Sequence, residues 1–311
     1  MALKKYIFGL LIFAMLLVGG YFLALRQLAT GYVDKYYPKF TEEAGSLIVG
    51  LSRAQYGLVP SVIEEMLPDK AIPTVNFAFE LYQSPYGEIL LEDLKNKIRH
   101  DVVNGVFVLE VSPASFLVPA IAPEDKIYAL DSETILGKMN NVASRPNYEY
   151  LKKCYGSALY KGVFRMKPFG NITVHDDGWV AFSDQFDFYK VTDQMALEWK
   201  QETLDTYQKV LSQQKKSPSR IQSFIKIIEY LKKYGNVNIV RMPASKEVIA
   251  FENANWNTFS SEMIEIADQQ QVSFFDYSKE GTNYRFYDGS HLFDTSAKAF
   301  TKQFCADVLG K

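Results

Sequence analysis

A serine near the start of the chain and an aspartate–histidine pair near its end are residue types that could perform nucleophilic catalysis. Ser52 follows the segment 47–51, and Asp288 precedes His291 by three residues. A serine hydroxyl attacks a carbonyl carbon efficiently only when a neighbouring imidazole accepts its proton and a third group orients that imidazole. The three residue types therefore predict esterase or acyl-transfer chemistry, provided that the fold brings the two ends of the chain together.

The surroundings of Ser52 favour a strand followed by a helix. Residues 47–49 form a short apolar run that Gly50 ends, as is typical of a buried parallel strand. The first backbone amides of a helix have no acceptor within the helix. If a helix begins at Ser52, these amides face a negative charge that forms beside the hydroxyl. Serine is also a common N-cap residue, so this segment alone is equally consistent with a capping role for Ser52.

Only one of the three histidines has an acidic residue placed to orient it. His100 lies in a charged run that is typical of a solvated helix face, and His175 lies beside a turn sequence. His291 follows Asp288 in a loop between the strand-like segment 272–277 and the last helical segment. This position, more than the three-residue spacing, favours His291 as a catalytic base.

Five strand-like segments alternate with helical segments along the chain. The strands are predicted at residues 46–50, 73–78, 105–111, 236–241 and 272–276. Helical or mixed segments are predicted at residues 57–66, 86–103 and 191–233. This alternation is typical of parallel βαβ units, in which ligands bind at the carboxyl ends of the strands. Because Ser52, Ser112 and the Asp288–His291 pair each follow a strand, we expect them on one edge of a doubly wound α/β sheet.

Residues from about 115 to 235 form an insertion in this alternation. A β-hairpin is predicted from Gly162–Arg165 to Val180–Phe182, with the turn 176–178 at its tip. A long helix is predicted from about residue 193 to 214, and a second helix follows up to Tyr234. Insertions at the catalytic edge of a sheet often shape the substrate groove.

The first 26 residues are typical of a membrane anchor. An apolar stretch runs from Tyr6 to Leu25, after Lys4 and Lys5. About 20 apolar residues at a rise of ~1.5 Å each cross the ~30 Å hydrocarbon core of a bilayer. The two lysines predict a cytoplasmic N-terminus in the inner membrane, with the rest of the chain outside. A cleaved signal peptide is the alternative, although the sequence after the apolar stretch matches a cleavage site poorly. The chain thus divides into an anchor, 1–30, and an extracytoplasmic domain, 31–311.

Together these features resemble the SGNH/GDSL hydrolase superfamily, and most closely its membrane-anchored branch. That branch includes the D-alanine transfer protein and alginate O-acetyltransferase-like proteins, and the resemblance covers roughly residues 44–120 and 235–308. It implies a five-stranded, flavodoxin-like parallel sheet with Ser52 as the nucleophile, His291 as the base and Asp288 as its orienter. It also implies a glycan or lipid-linked acceptor, and a multi-pass membrane-bound O-acyltransferase as the partner that supplies the acyl group.

The sequence departs from the superfamily pattern around the expected oxyanion hole. Leu51 stands where the superfamily has an aspartate before the serine, and residues 111–115 stand where it has a Gly-x-Asn-Asp block. The candidate oxyanion donors are the backbone amide of Ser52 and the side chains of Ser84 and Ser112. Ser84 and Ser112 each precede a proline, so an ordinary turn is the alternative for both.

Composition restricts the remaining possibilities. The formal net charge of −2 argues against a general nucleic-acid binder. Cys154 and Cys305 have neither a metal-binding nor a redox spacing, so we expect no metal and no cofactor. The two cysteines either form a disulfide or remain buried thiols. Arg53 and Arg241 are candidate substrate-binding residues, with a structural surface role as the alternative for Arg241.

Three functions fit these observations. The first is a serine-dependent O-acyltransferase or acyl-esterase that acts on an extracytoplasmic glycan or lipid-linked acceptor. The second is an esterase or lipase of the same fold that works without a partner, and the third is a non-catalytic assembly or binding protein. The separation of the Ser52 hydroxyl and the His291 ring is the observation that best distinguishes a catalytic site from a non-catalytic one.

Overall fold

A five-stranded parallel sheet organises the chain in the computed structural model, which describes residues 2–80, 83, 86–164, 170–185 and 189–310. The strands in these residues are β1 (Ser46–Val49), β2 (Thr74–Asn76), β3 (Gly105–Glu110), β4 (Leu117–Pro119), β5 (Ile172–Val174), β6 (Val180–Phe182), β7 (Gln214–Lys216), β8 (Gly235–Arg241) and β9 (Ser273–Asp276). The α-helices are α1 (Ala2–Ala29), α2 (Ser52–Gly57), α3 (Pro60–Met66), α4 (Glu88–Lys97), α5 (Ile127–Asp131), α6 (Ile135–Lys138), α7 (Tyr148–Lys153), α8 (Tyr160–Val163), α9 (Asp193–Leu211), α10 (Pro218–Leu231), α11 (Lys246–Asn255), α12 (Phe259–Gln270) and α13 (Asp294–Leu309).

The strand order in the central sheet is β2-β1-β3-β8-β9, and every neighbouring pair is parallel. Numbered along the chain, these five strands follow the doubly wound order 2-1-3-4-5. The prediction of a parallel α/β sheet is therefore confirmed, with strand ends within two residues of those expected. In this topology the chain changes direction across the sheet between β1 and β3, and a crevice forms outside the carboxyl ends of these strands.

Helices cover both faces of the sheet. All residues of β1 and β3 are buried, which explains why these strands are continuous apolar runs instead of alternating ones. One core cluster packs around Phe107 and Phe224, and the other packs around Val108 and Phe300. Because successive strand residues point to opposite faces, Phe107 and Val108 belong to different clusters.

Prolines and extended residues interrupt two of the predicted helical segments. In the segment 57–66, α2 ends at Gly57 and α3 begins at Pro60, since proline fits the first helical position but cannot continue a helix. In the segment 86–103, α4 ends at Lys97 because Ile98 is extended and pairs with Ala44 in an isolated parallel bridge.

The insertion contains β4–β7 and α5–α10. β5 and β6 form an antiparallel hairpin, with Gly178 at its turn in a positive-φ conformation of +84°. The prediction that Gly162–Arg165 is the first strand of this hairpin is wrong. The structure has the helix α8 at Tyr160–Val163, packed against α1, and Arg165 lies outside the described residues. The hairpin is shorter because Ile172–Val174, directly before the turn, pairs with β6.

The N-terminal helix α1 has an exposed part and a part that belongs to the domain. Residues 3–23 are exposed, and Leu3–Ala29 is long and apolar enough to cross a membrane. Leu28 is 0% exposed, and Leu25 and Ala29 pack against the same core cluster. The end of α1 therefore contributes to the folded domain as well as to the apolar stretch.

We expect that removal of residues 1–23 leaves a soluble, folded domain, whereas removal of residues 1–30 destabilises it. The longer deletion also removes Leu28, and the loss of a buried leucine side chain typically costs about 2–5 kcal/mol. Urea unfolding of the two truncated proteins measures the difference. Leu28→Ala in the protein that lacks residues 1–23 is the matched variant. Equal free energies of unfolding for all three proteins would show that the end of α1 is dispensable.

Candidate active site

The hydroxyl of Ser52 and the ring of His291 face each other at the carboxyl edge of the sheet. Ser52 Oγ lies 2.7 Å from His291 Nε2, and His291 Nδ1 lies 2.7 Å from Asp288 Oδ2. A neutral ring with its proton on Nδ1 donates to Asp288 and accepts from the serine hydroxyl. This is the protonation state that a general base requires.

The turn that presents Ser52 depends on Gly50. This residue has φ +151°, and a Cβ placed on it would lie 2.6 Å from the Cβ of Glu110, so only glycine fits. Ser52 is the first residue of α2, while Leu51 occupies the N-cap position without a capping side-chain bond. The structure therefore excludes the capping role for Ser52, whose hydroxyl is bonded to His291 instead.

The loop before α13 holds Asp288 in place from two directions. Its Oδ1 accepts hydrogen bonds from the backbone amides of Ser290 at 3.0 Å and His291 at 2.8 Å, while Oδ2 faces the ring. Burial raises the pKa of Asp288, but the His291 ring and these amides lower the pKa by more, so the net pKa lies below its ordinary value. An ionised Asp288 can orient the ring and stabilise it once it is protonated.

Two cavities meet at His291. The first, which we call the inner cavity, has a volume of about 260 Å³ and lies beside Ser52, Arg53 and Glu110. The second, which we call the outer groove, has a volume of about 520 Å³ and is lined by Phe182, Trp199 and others. The side chains that line both are Thr206, Tyr207, Tyr287 and His291. A group on either side of this shared wall would therefore lie near the His291 ring.

Aromatic rings form one side of the outer groove. The rings of Phe182 and Tyr287 stack with centroids 3.9 Å apart, and the ring of Tyr287 stacks on that of His291 at 5.5 Å. Trp199 of α9 stands edge-on to Phe182. Asn171 and Glu202 add polar groups to the same groove. Phe182 and Trp199 come from the insertion, which confirms that the insertion shapes a groove at this edge.

A buried arginine links the helix that begins at Ser52 to the Asp288–His291 loop. Arg53 is 5% exposed, and its Nη2 lies 2.7 Å from Oε1 of Glu252 in α11. Its Nε donates to Ser290 Oγ at 3.0 Å, and that hydroxyl lies 2.8 Å from the Tyr207 hydroxyl. The Arg53 side chain thus connects α2, α11 and the Asp288–His291 loop. Through Ser290 it also reaches the inserted helix α9.

A buried glutamate supports the turn from the neighbouring strand. Glu110 is the last residue of β3 and is 0% exposed, and its Oε2 accepts a hydrogen bond from the Leu51 amide at 2.8 Å. Burial raises the pKa of Glu110 to about 7, while the Leu51 amide and the Arg53 guanidinium oppose the rise. The pKa of about 7 therefore belongs to a carboxyl group that is bonded to the residue before Ser52.

The residues predicted from the sequence have different places in the structure. Ser52, Asp288 and His291 come together, and Arg53 and Ser112 line the inner cavity. Ser112 also caps the short 3-10 helix Pro113–Phe116, and its Oγ lies 3.4 Å from Ser115 Oγ. Ser84 lies outside the described residues.

Arg241 is buried, at 2% exposed, and its guanidinium is bound to groups of the protein itself. Nη2 contacts Glu252 at 3.1 Å, and Nη1 donates to Ser260 at 2.7 Å. A structural role fits this placement, inside the protein rather than at the surface. Cys154 and Cys305 are free thiols. No group of three or more His, Cys, Asp and Glu side chains that could hold a metal was found in the described part of the chain.

Sequence reasoning missed Glu110, Glu252 and Tyr207 as parts of the site. Glu110 did carry a signal, because it is an acidic residue at the end of an apolar strand that points to the ligand-binding edge. Glu252 and Tyr207 lie on amphipathic helices with many polar residues, so nothing local distinguishes them.

No protein-family model matches this sequence, and no curated protein matches it either. The geometry of the site is therefore the basis on which a function can be argued.

We expect Glu110→Gln to change the pH dependence of stability. The raised pKa means that folding favours protonated Glu110, so its contribution is fully present below about pH 4.5 and is lost as the pH rises through about 7. The free energy of unfolding of the variant relative to wild type should rise between pH 5 and pH 8 by on the order of 1–3 kcal/mol. Urea unfolding at both pH values measures this rise. The exposed control Glu133→Gln should show no such trend, and a pH-independent difference for Glu110→Gln would contradict the expectation.

Proposed function

We propose that this protein is a serine-dependent O-acyltransferase or acyl-esterase that forms an acyl-enzyme on Ser52. The observation that carries the proposal is the continuous pair of 2.7 Å contacts from Ser52 through His291 to Asp288. The resemblance to the membrane-anchored SGNH/GDSL hydrolases supports the same chemistry. The acceptor of the acyl group would be a glycan or a lipid-linked molecule outside the inner membrane.

The reaction would proceed in two steps that use the same base. Ser52 Oγ attacks the carbonyl carbon of the donor ester while His291 Nε2 accepts the hydroxyl proton, and the leaving alcohol then takes this proton from the ring. In the second step His291 accepts a proton from the acceptor hydroxyl, which attacks the acyl-enzyme, and the ring returns this proton to Ser52 Oγ as the ester bond to Ser52 breaks. Asp288 keeps the ring oriented and stabilises its protonated form. The Ser52 amide, at the first position of α2, is the candidate donor to the oxyanion.

The two cavities favour transfer to a second substrate. The inner cavity includes Ser52, whereas the outer groove includes Asp288, and both reach His291. The acyl group would occupy the inner cavity, and the acceptor hydroxyl would approach the base from the outer groove. The aromatic rings of Phe182 and Trp199, with polar Asn171 and Glu202 nearby, suit a sugar ring, which has apolar faces and a polar edge.

The N-terminal helix supports a location at the membrane. Lys4 and Lys5 before the apolar stretch favour a cytoplasmic N-terminus, with the sheet domain on the periplasmic side. One helix of the described residues can cross a membrane, and one helix gives an activated acyl group no path through the bilayer. A multi-pass membrane-bound O-acyltransferase is therefore the proposed partner. In the alternative, an esterase without a partner, water replaces the acceptor hydroxyl.

We expect a serine-directed fluorophosphonate to label Ser52 alone. Ser52→Ala should abolish labelling, and His291→Ala should slow it by about 10²–10⁴-fold because a serine hydroxyl without a base is a poor nucleophile at neutral pH. Asp288→Asn should have a smaller effect, since the base remains but is poorly oriented. Ser261→Ala, on the exposed face of α12, is the control. Mass spectrometry that finds the label elsewhere, or nowhere in wild type, would favour the non-catalytic alternative.

We expect Trp199→Ala to weaken the use of a carbohydrate acceptor more than the hydrolysis of a small ester. An acyl donor such as 4-nitrophenyl acetate and a set of labelled oligosaccharides allow both reactions to be followed. The KM for a productive oligosaccharide should rise about tenfold, as expected for the loss of one large aromatic contact. Leu197→Ala, exposed on the same helix, is the matched control. An equal loss in both reactions would argue against an acceptor site in the outer groove.

A further inference from the structure

Two buried polar atoms in side chains that line the inner cavity have no hydrogen-bond partner among the described residues. They are Nη1 of Arg53 and Oε1 of Glu110, both buried and both in side chains that line the cavity beside Ser52. Buried donors and acceptors in folded proteins nearly always have a partner, so each of these atoms calls for one.

The other polar atoms of the same two side chains are already bound. Arg53 uses Nη2 for Glu252 and Nε for Ser290, while Glu110 uses Oε2 for the Leu51 amide. Neither side chain can therefore turn to satisfy its remaining atom without breaking a buried hydrogen bond. The unpartnered donor and the unpartnered acceptor are held in place in side chains that line the same cavity as Ser52, as in a preorganised binding site.

The hydrogen-bonding requirements of these two atoms restrict which chemical group can bind to them. Arg53 Nη1 requires an acceptor, whereas Glu110 Oε1 accepts a hydrogen bond when the carboxyl group is ionised and donates one when it carries the proton. A hydroxyl can serve both at once. An ammonium group cannot accept from arginine and would be repelled by it, and an alkyl group would leave both atoms unpaired.

The surrounding charges agree with a neutral group. Glu252 is shared by the guanidinium groups of Arg53 and Arg241, and Glu110 adds a carboxyl group to the same cavity. The net charge of the cluster of two arginines and two glutamates is therefore close to zero when Glu110 is ionised. Leu51, Val210 and Leu211 supply an apolar lining for a carbon chain.

We propose that the inner cavity binds the acyl group of the donor and that Arg53 and Glu110 bind a hydroxyl on it, so that the substrate is a hydroxyacyl ester. This inference rests on the proposed acyl-enzyme at Ser52, because Ser52 lines this cavity. A site that binds a substrate hydroxyl discriminates strongly against the analogue that lacks it, since the protein groups are then left unpaired.

The test compares 4-nitrophenyl 3-hydroxybutyrate with 4-nitrophenyl butyrate, which differ by one hydroxyl. For the full chain in detergent, we expect kcat/KM to be at least about tenfold higher for the hydroxy ester. Arg53→Lys keeps the charge but removes Nη1, and it should bring the ratio close to one. In Arg53→Met the ratio should fall in the same way, and Glu252 keeps its contact with Arg241. Leu197→Ala, exposed on α9 and outside the inner cavity, should leave the ratio as in wild type.

The outcomes separate this inference from the proposed function. Hydrolysis of both esters at equal rates, or a ratio that survives in both Arg53 variants, overturns the hydroxyacyl site and leaves the acyl-enzyme intact. Hydrolysis of neither ester contradicts the proposed function. In that case, ligand-observed NMR on Ser52→Ala compares binding of 3-hydroxybutyramide and butyramide. Tighter binding of the hydroxy amide supports the site, and equal binding overturns it.

Discussion

The hydrogen bonds of the buried Arg53 guanidinium are the interactions on which the arrangement of the site depends. The guanidinium binds Glu252 and Ser290 at once, and so it joins the helix that begins with Ser52 to the loop that carries His291. A buried charge without a partner costs several kcal/mol, so the position of each element restricts the others. Glu252 also binds Arg241 at the end of β8, which extends this restraint to the sheet.

The topology of the sheet explains why chemistry is concentrated at this place. β1 and β3 are neighbours, and the chain leaves them toward opposite sides, so their carboxyl ends border a crevice. Ser52 follows one strand and Glu110 ends the other, and the Leu51 amide bonds directly to Glu110. The Ser52 hydroxyl is thus positioned by strands whose residues are all buried, which is the preorganised placement that the proposed catalysis requires.

The insertion has a different role from that of the sheet. Its helix α9 supplies Tyr207 to the wall between the two cavities and Trp199 to the outer groove, while Val210 lines the inner cavity. The strand, turn and helix around Ser52 position its hydroxyl against the His291 ring, whereas these inserted side chains shape the two cavities beside it. Under the proposed function, changes to Trp199 and Val210 would alter the choice of substrate and leave the hydrogen bonds between Ser52, His291 and Asp288 in place.

The sequence alone was sufficient for the five strands, the parallel sheet and the three residues that meet at its edge. Short apolar runs, the turn at Gly50 and the loop at Asp288–His291 are local features, and parallel strands place such loops on one edge. The partners of Arg53 and Glu110 could not be predicted in this way. Arg53 and Ser290 are 237 residues apart in sequence, and Glu110 and Leu51 are 59 apart. Such pairs depend on how helices and strands pack against each other, and local residue patterns do not reveal that packing. The same reason explains the wrong prediction at Gly162–Arg165. The local pattern there favoured a strand, whereas the structure has the helix α8, which packs against α1.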